Sequence, residues 1–197
     1  ALEIWELDAS PPQAEIVDIS PDPRNAAVDW IRIEFDQPIA GLDLGDLRLT
    51  KNGGQNLLDG AQTLATLNRM TWVLDGLAGV TGNAGSYELR LVSAGSGIQD
   101  QAGNLLRVDA VESWDVELTP PTVAIEPIVP DPRTQPVDHL TIVFTEPVVG
   151  FDLSDLVLSR DGGGNLLTAA QRLTTSDGLT WTLENLLPLA SASGDYA

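Results

Sequence analysis

The chain has 197 residues, 43% of them hydrophobic, with 29 Asp plus Glu against 10 Lys plus Arg and a formal charge of −19. That apolar content supports a packed core and excludes wholesale disorder, whereas the charge repels phosphate backbones and anionic membrane surfaces and so argues against nucleic-acid partners and membrane insertion. There is no Cys, which removes disulfides, thiolate chemistry and Cys-based zinc sites, and no apolar run approaches the ~18 residues of a membrane span.

Residues 1–10 carry no signal-peptide pattern and read as the interior of a longer protein. Within them Glu3-Ile4-Trp5-Glu6-Leu7 matches Glu112-Ser113-Trp114-Asp115-Val116, so this segment is expected to be the last strand of a preceding repeat. After Pro11-Pro12 comes a short strand around Ile16, then the turn Pro21-Asp22-Pro23. Ile31, Ile33 and Phe35 alternate with Arg32 and Glu34, the period of a half-buried strand. Trp30 breaks that alternation and is expected on the opposite face. Leu47 with Leu49, Trp72 with Leu74, and Tyr87, Leu89 and Leu91 predict further strands. Trp114, Val116 and Leu118 predict the last. Turn residues separate them: Lys51-Asn52-Gly53-Gly54, Asp75-Gly76, Thr81-Gly82-Asn83 and Ala102-Gly103-Asn104. Leu58, Ala61 and Leu64 sit at helical spacing, so Asp59 to Leu64 is the one place where a helical turn competes. Short strands punctuated every ~8–12 residues predict a sandwich or barrel.

The second half repeats the first. Pro11 to Tyr87 aligns without a gap on Pro120 to Tyr196, an offset of about 109 residues, the size of one sandwich domain. Pro21-Asp22-Pro23-Arg24 returns as Pro130-Asp131-Pro132-Arg133, Asp43 and Asp46 as Asp152 and Asp155, Phe35 as Phe144, and Thr71-Trp72 as Thr180-Trp181. The predicted organisation is therefore 1–10 as the strand of a preceding repeat, 11–119 as a complete repeat, and 120–197 as a second repeat without a counterpart of Glu88 to Leu118. The linker Leu118-Thr119-Pro120-Pro121 is stiffened by its paired prolines.

The order of Pro-Pro, the strand end Phe144-Thr145-Glu146-Pro147-Val148 and the turn Asp100-Gln101-Ala102-Gly103-Asn104 resembles the bacterial Ig-like repeats of S-layer and adhesin surface proteins. The Gly-Gly-x-Asn-Leu-Leu and Thr-x-Trp segments resemble long repeat proteins such as those of planctomycetes. The resemblance implies an all-β fold of tandem immunoglobulin-like sandwiches, the second incomplete. It also implies a secreted or cell-surface location and a spacer, adhesive or assembly role, in some members with calcium bound.

Candidate chemistry is sparse. His139, the single histidine, stands where the first repeat has Trp30, and a catalytic group would not be exchanged between matching repeats. No nucleophile elbow, zincin motif or phosphate loop occurs, so no enzyme activity is expected. Ca2+ is the cofactor to consider, because it takes six to eight oxygens from carboxylates, amides and carbonyls. The metal candidates are Asp22 and Asp131 in the Pro-Asp-Pro turns, Asp100 with Asn104, and Asp43 with Asp46. The competing reading is that these side chains close turns by accepting from backbone N–H groups. The repeated pairs Trp72/Trp181 and Trp5/Trp114 are expected in the core. Trp30 is the ligand candidate, since an exposed indole can stack on a sugar ring. Expected partners are neighbouring repeats of the same protein, another chain by strand exchange, and a glycan or surface protein.

Overall fold

The computed structural model describes residues 3–5 and 7–197 of the chain, which divide into two units, Ala1–Leu118 and Thr119–Ala197. In the first unit the strands are β1 (Ala14–Ile16), β2 (Trp30–Phe35), β3 (Leu47–Lys51), β4 (Thr63–Thr66), β5 (Thr71–Asp75), β6 (Gly85–Leu91) and β7 (Ala110–Val116). They form two antiparallel sheets, β1-β2-β5-β4 and β3-β6-β7. Written as strands A to G, these are the ABED and CFG layers of the seven-strand immunoglobulin sandwich. The fold is an all-β tandem of Ig-like modules.

Alternation decides which side chains meet between the layers. Ile31, Ile33 and Phe35 of β2 point inward, at 4% exposure or less. They face Leu47 and Leu49 of β3, Tyr87, Leu89 and Leu91 of β6, and Trp114 and Val116 of β7, all of them buried in one core. Tyr87 stacks on Trp114 with ring centroids 5.4 Å apart and planes 11° from parallel. The Tyr87 hydroxyl donates to the Asn83 carbonyl at 2.8 Å. A tyrosine at the start of the F strand, tied back to the chain four residues upstream, is the tyrosine corner of this fold. Its neighbour two residues on is Leu89, fully buried, at the place where antibody domains carry the second cysteine of their bridge.

The single turn of α-helix, Ala78–Thr81, is anchored by one side chain. Buried Thr81 accepts from the Val28 N–H at 3.0 Å, and its hydroxyl lies 2.8 Å from the Val28 carbonyl and 3.0 Å from that of Leu77. Thr81→Val keeps the shape and leaves the Val28 amide buried without its acceptor. It should cost about 1–3 kcal/mol in urea unfolding, whereas Thr81→Ser should cost less.

The helical turn expected at Asp59 to Leu64 does not form. The Asp59 carboxylate accepts from Ala61 N–H at 3.0 Å, Gln62 accepts from Asp59 N–H at 3.1 Å, and β4 begins at Thr63. One turn of helix fixes several residues for a single hydrogen bond, and pairing of Leu64 with Leu74 on β5 offers more.

The second unit contains β8 (Val123–Ile125), β9 (Leu140–Phe144), β10 (Arg172–Thr175) and β11 (Thr180–Glu184) in the order β10-β11-β9-β8. This is the ABED layer again, in the same register. Val123 faces Phe144 as Ala14 faces Phe35, and Ile142 faces Trp181 as Ile33 faces Trp72. Tyr196 repeats the corner, donating to the Ala192 carbonyl at 2.8 Å. Among the described residues the opposing layer of this unit is only a short contact. Arg160 bridges Tyr196, and Ser159 and Ala197 exchange backbone bonds of 2.7 and 3.1 Å. The core is correspondingly thin: Leu158, Leu183 and Leu186 are its buried members. Phe151 fills part of the space with edge-on contacts to Phe144 at 5.1 Å and Trp181 at 5.2 Å.

The segment 1–10 is expected to pair within a preceding repeat. Ala1, Leu2 and Glu6 lie outside the described residues, and Glu3–Trp5 and Leu7–Ser10 form no strand. Trp5, expected in the core with Trp114, is 80% exposed, whereas Trp114 is 1% exposed. The alternation of apolar residues is present in both segments, and among the described residues it is β7 that pairs, with β6.

Candidate functional site

Trp30 opens β2 opposite Asp75 of β5. Because Ile31 and Ile33 point inward, Trp30 and Arg32 point out of the sandwich, and Trp30 is 55% exposed. Beside it lies an open groove of about 390 Å3, whose lining includes Asp18, Ser20, Arg24, Asp29, Trp30 and Arg32. Arg24, one of the lining residues, donates to the Ala26 and Ala27 carbonyls at 2.7 and 3.1 Å. An aromatic face beside carboxylates, a hydroxyl and guanidinium groups can stack on one side of a pyranose and bond its hydroxyls.

The acidic candidates serve turns. Asp43 and Asp46 form a capping box around the 3-10 turn Leu44–Asp46. Asp43 accepts from Gly45 N–H at 2.7 Å, and Asp46 accepts from Asp43 N–H at 2.9 Å. Partial burial pushes the Asp46 carboxyl up; the bond from Asp43 opposes this and the Asp43 charge adds to it. Asp152 and Asp155 repeat the box around Leu153–Asp155. There the Ser154 hydroxyl and amide hold the Asp152 carboxyl below its ordinary value.

Asp100 and Asn104 do come together. Asp100 accepts from Asn104 N–H at 2.9 Å and from its side-chain amide at 2.8 Å, closing the turn that carries Gly103. Burial of Asp100 favours the neutral acid, but the bonds from the Asn104 side chain and from the backbone amides of Asn104, Ala102 and Gly103 together outweigh it and lower the pKa. The folded state therefore binds this proton less well than the unfolded chain. Its contribution to stability is present above the ordinary value of 3.8 and is lost as pH falls from there through the lower folded value. Asp100→Asn should flatten the acid limb of the stability profile in a urea titration across pH 2–6. Asp46, displaced upward, works in the other direction: its protonation favours the folded state as pH falls.

Asp22 acts at long range. It accepts from the Asp115 N–H at 2.8 Å, beside a parallel bridge between Arg24 and Val116. Asp131 occupies the same place in the second unit and is exposed. Among the described residues no three His, Cys, Asp or Glu side chains gather where they could hold a metal ion, and no catalytic constellation is found. The tyrosine corners, at β6 in the first unit and at the Arg160–Tyr196 bridge in the second, were not singled out in the sequence. Their signal was present as Tyr87 and Tyr196 at the repeat offset, each near a Gly.

No protein-family model matches the chain, and no curated protein does. Several solved structures are similar. A Dscam1 Ig7 domain is 18% identical, covering 56% of this chain and all of that one, with a TM-score of 0.33. The titin I-band fragment I67-I69 is 16% identical, over 95% of this chain and 59% of that one, with a TM-score of 0.36. The tandem Ig repeats of Dlar are 14% identical, over 94% and 87%, with a TM-score of 0.27. These matches correct the resemblance to bacterial S-layer and adhesin repeats, since the similar structures are Ig domains of titin, Dscam1 and Dlar. The motifs that carried the resemblance are strand ends and hairpin turns. Any sandwich needs such residues, so they report geometry and not lineage.

Proposed function

We propose that the chain is a structural module of a secreted or cell-surface protein, in which Ig-like units in tandem act as spacers that display or link other parts. The observation that carries this reading is the repeat itself: one module written twice at an offset of about 109 residues, with the same strand register in both ABED sheets. Repetition of a unit with its own core builds length in rigid increments. The strongly acidic surface keeps such a chain soluble and apart from phosphate polymers. Single-molecule stretching tests the mechanical role. Unit 1 should give one force peak with a contour gain of roughly 35 nm, the reach of about a hundred residues at ~3.5 Å each. Featureless extension would sink the reading. Antibody labelling of intact cells tests the location.

A second reading, glycan binding by unit 1, is favoured by the half-exposed Trp30 beside its polar groove. Binding on a glycan array that disappears in Trp30→Ala and survives in Trp30→Phe would support it. An array without hits would remove it.

A further inference from the structure

We infer that the turn Lys51–Gly54 of the first unit modifies itself: the Gly53 backbone nitrogen displaces ammonia from the Asn52 side chain, and water then leaves an acidic residue at that position. This goes beyond the spacer role and does not rest on it.

The reactants are adjacent in the chain. Asn52 is followed by Gly53, and no other Asn precedes a Gly. Glycine has no Cβ to hinder the approach of its nitrogen to the preceding side chain. The fold leaves both groups accessible. Asn52 and Gly53 are the central residues of a turn, with φ of 51° and 68°, closed by the Gly54 N–H donating to the Lys51 carbonyl at 2.9 Å. This is the type I′ geometry, which needs a positive φ at both places. Both residues are exposed, and a side-chain carbon on Gly53 would meet nothing within 4 Å. Among the described residues the Gly53 N–H, the nucleophile, and the Asn52 Nδ2, the leaving group, have no hydrogen-bond partner. The carboxamide oxygen does have one. Asn52 Oδ1 accepts from the Ser86 N–H at 3.0 Å, at the start of β6. That bond draws electron density from Cγ and stabilises the oxyanion formed on attack.

A base takes the Gly53 amide proton and the nitrogen bonds to Asn52 Cγ. The Cγ–Nδ2 bond breaks, ammonia leaves, and a cyclic succinimide remains. Water opens the ring at either carbonyl. Opening at Cγ gives an aspartate with the ordinary backbone. Opening at the other carbonyl gives an isoaspartate, whose main chain runs through the former side chain and is longer by one methylene. Water is the one co-reactant, and nothing is oxidised or reduced.

The second unit displays the first of these products. At the repeat offset Lys51-Asn52-Gly53 becomes Arg160-Asp161-Gly162, with φ of 53° and 72° at the same two turn positions. Asp161 Oδ1 accepts from the Asp195 N–H at 2.9 Å, as Asn52 accepts from Ser86. The Asp161 N–H donates to the Asp195 carbonyl at 2.8 Å, as that of Asn52 donates to the Ser86 carbonyl at 2.7 Å. The Arg160 side chain lies 3.8 Å from the Asp161 carboxylate, and Lys51 is available to an aspartate at position 52 in the same way. An exposed pair of this kind contributes little, so the aspartate form should keep the stability of the unit. The isoaspartate form should not. Its extra methylene moves the carboxylate and the amide off Ser86 and disturbs the end of the β3–β6 ladder, where Lys51 is opposite Tyr87.

Ageing the whole folded chain in mildly alkaline buffer, followed by peptide mapping with mass spectrometry, tests this. The free peptide of residues 49–57 is the unfolded reference. The expected result is a gain of about 1 Da and one negative charge that maps to Asn52 before any other Asn, at a rate within roughly tenfold of the peptide. Gly53→Ala should slow it about tenfold or more. Because a positive φ strains alanine, a second variant, Asn52→Asp, carries the test without that strain. It should show no mass gain in this turn and should keep the urea midpoint of the first unit. The aged isoaspartate fraction, separated by chromatography, should have a lower midpoint and faster hydrogen exchange at the Ser86 amide. An Asn52 that stays intact in the folded chain while the peptide converts, or another Asn that reacts first, would overturn the inference. So would a lowered midpoint in Asn52→Asp.

Discussion

Trp114→Ala should be among the most damaging single substitutions in the first unit, lowering its unfolding free energy by about 3–5 kcal/mol, the range for truncating a buried large aromatic. Trp114 is 1% exposed, stacks on Tyr87 and closes one side of the core from β7. Domains of this size are stable by only about 5–15 kcal/mol, so much of the unit's population should unfold on mild heating. Among the described residues the indole N–H of Trp114 has no hydrogen-bond partner, so the ring system and not the polar atom stabilises the site. Trp114→Phe should accordingly cost far less than Trp114→Ala. Trp5→Ala, at the equivalent repeat position but exposed, should leave the urea midpoint unchanged. Equal losses in Trp114→Ala and Trp5→Ala would contradict the assignment of the two tryptophans.

Ile33→Ala is the second large effect, expected at about 2–5 kcal/mol. Ile33 lies on β2, a central strand flanked by β1 and β5, and is opposite Ile16 on one side and Trp72 on the other. It has no exposed surface, and the surrounding side chains come from both sheets, so the void left by truncation cannot collapse easily. Ile142 has the same register in the second unit, opposite Ile125 and Trp181. There Ile125 is 56% exposed and the covering layer is short. Ile142→Ala should cost less than Ile33→Ala, since water and neighbouring side chains can enter the space. Hydrogen exchange of the β2 and β9 amides in the two variants measures each loss within its own unit.

Sequence reading located most strands because alternation is a local property. Ile31-Arg32-Ile33-Glu34-Phe35 contains its own burial pattern, and the structure places those side chains alternately inside and outside. It misread Asp59 to Leu64, where three apolar residues at helical spacing were outcompeted by pairing with β5. It also gave Trp5 and Trp114 one role, because a repeated residue type says nothing about whether a partner strand is present. For the candidate site, Trp30 was recognisable as outward-facing from its phase against Ile31. The groove beside it was not, since its walls come from the β1 end, the Arg24 turn and the start of β2.

By itself the sequence determined that one sandwich-sized module is written twice and which residues of each strand are apolar. The tertiary structure decided which sheet each strand joins, and with it the use of each carboxylate. Asp43 and Asp46 satisfy amides two or three residues away, within reach of local reading, but Asp22 serves Asp115, 93 residues further along. The reason is physical: side-chain alternation is set by the backbone of each strand alone, whereas strand pairing depends on backbone donors and acceptors that only the folded layers bring together.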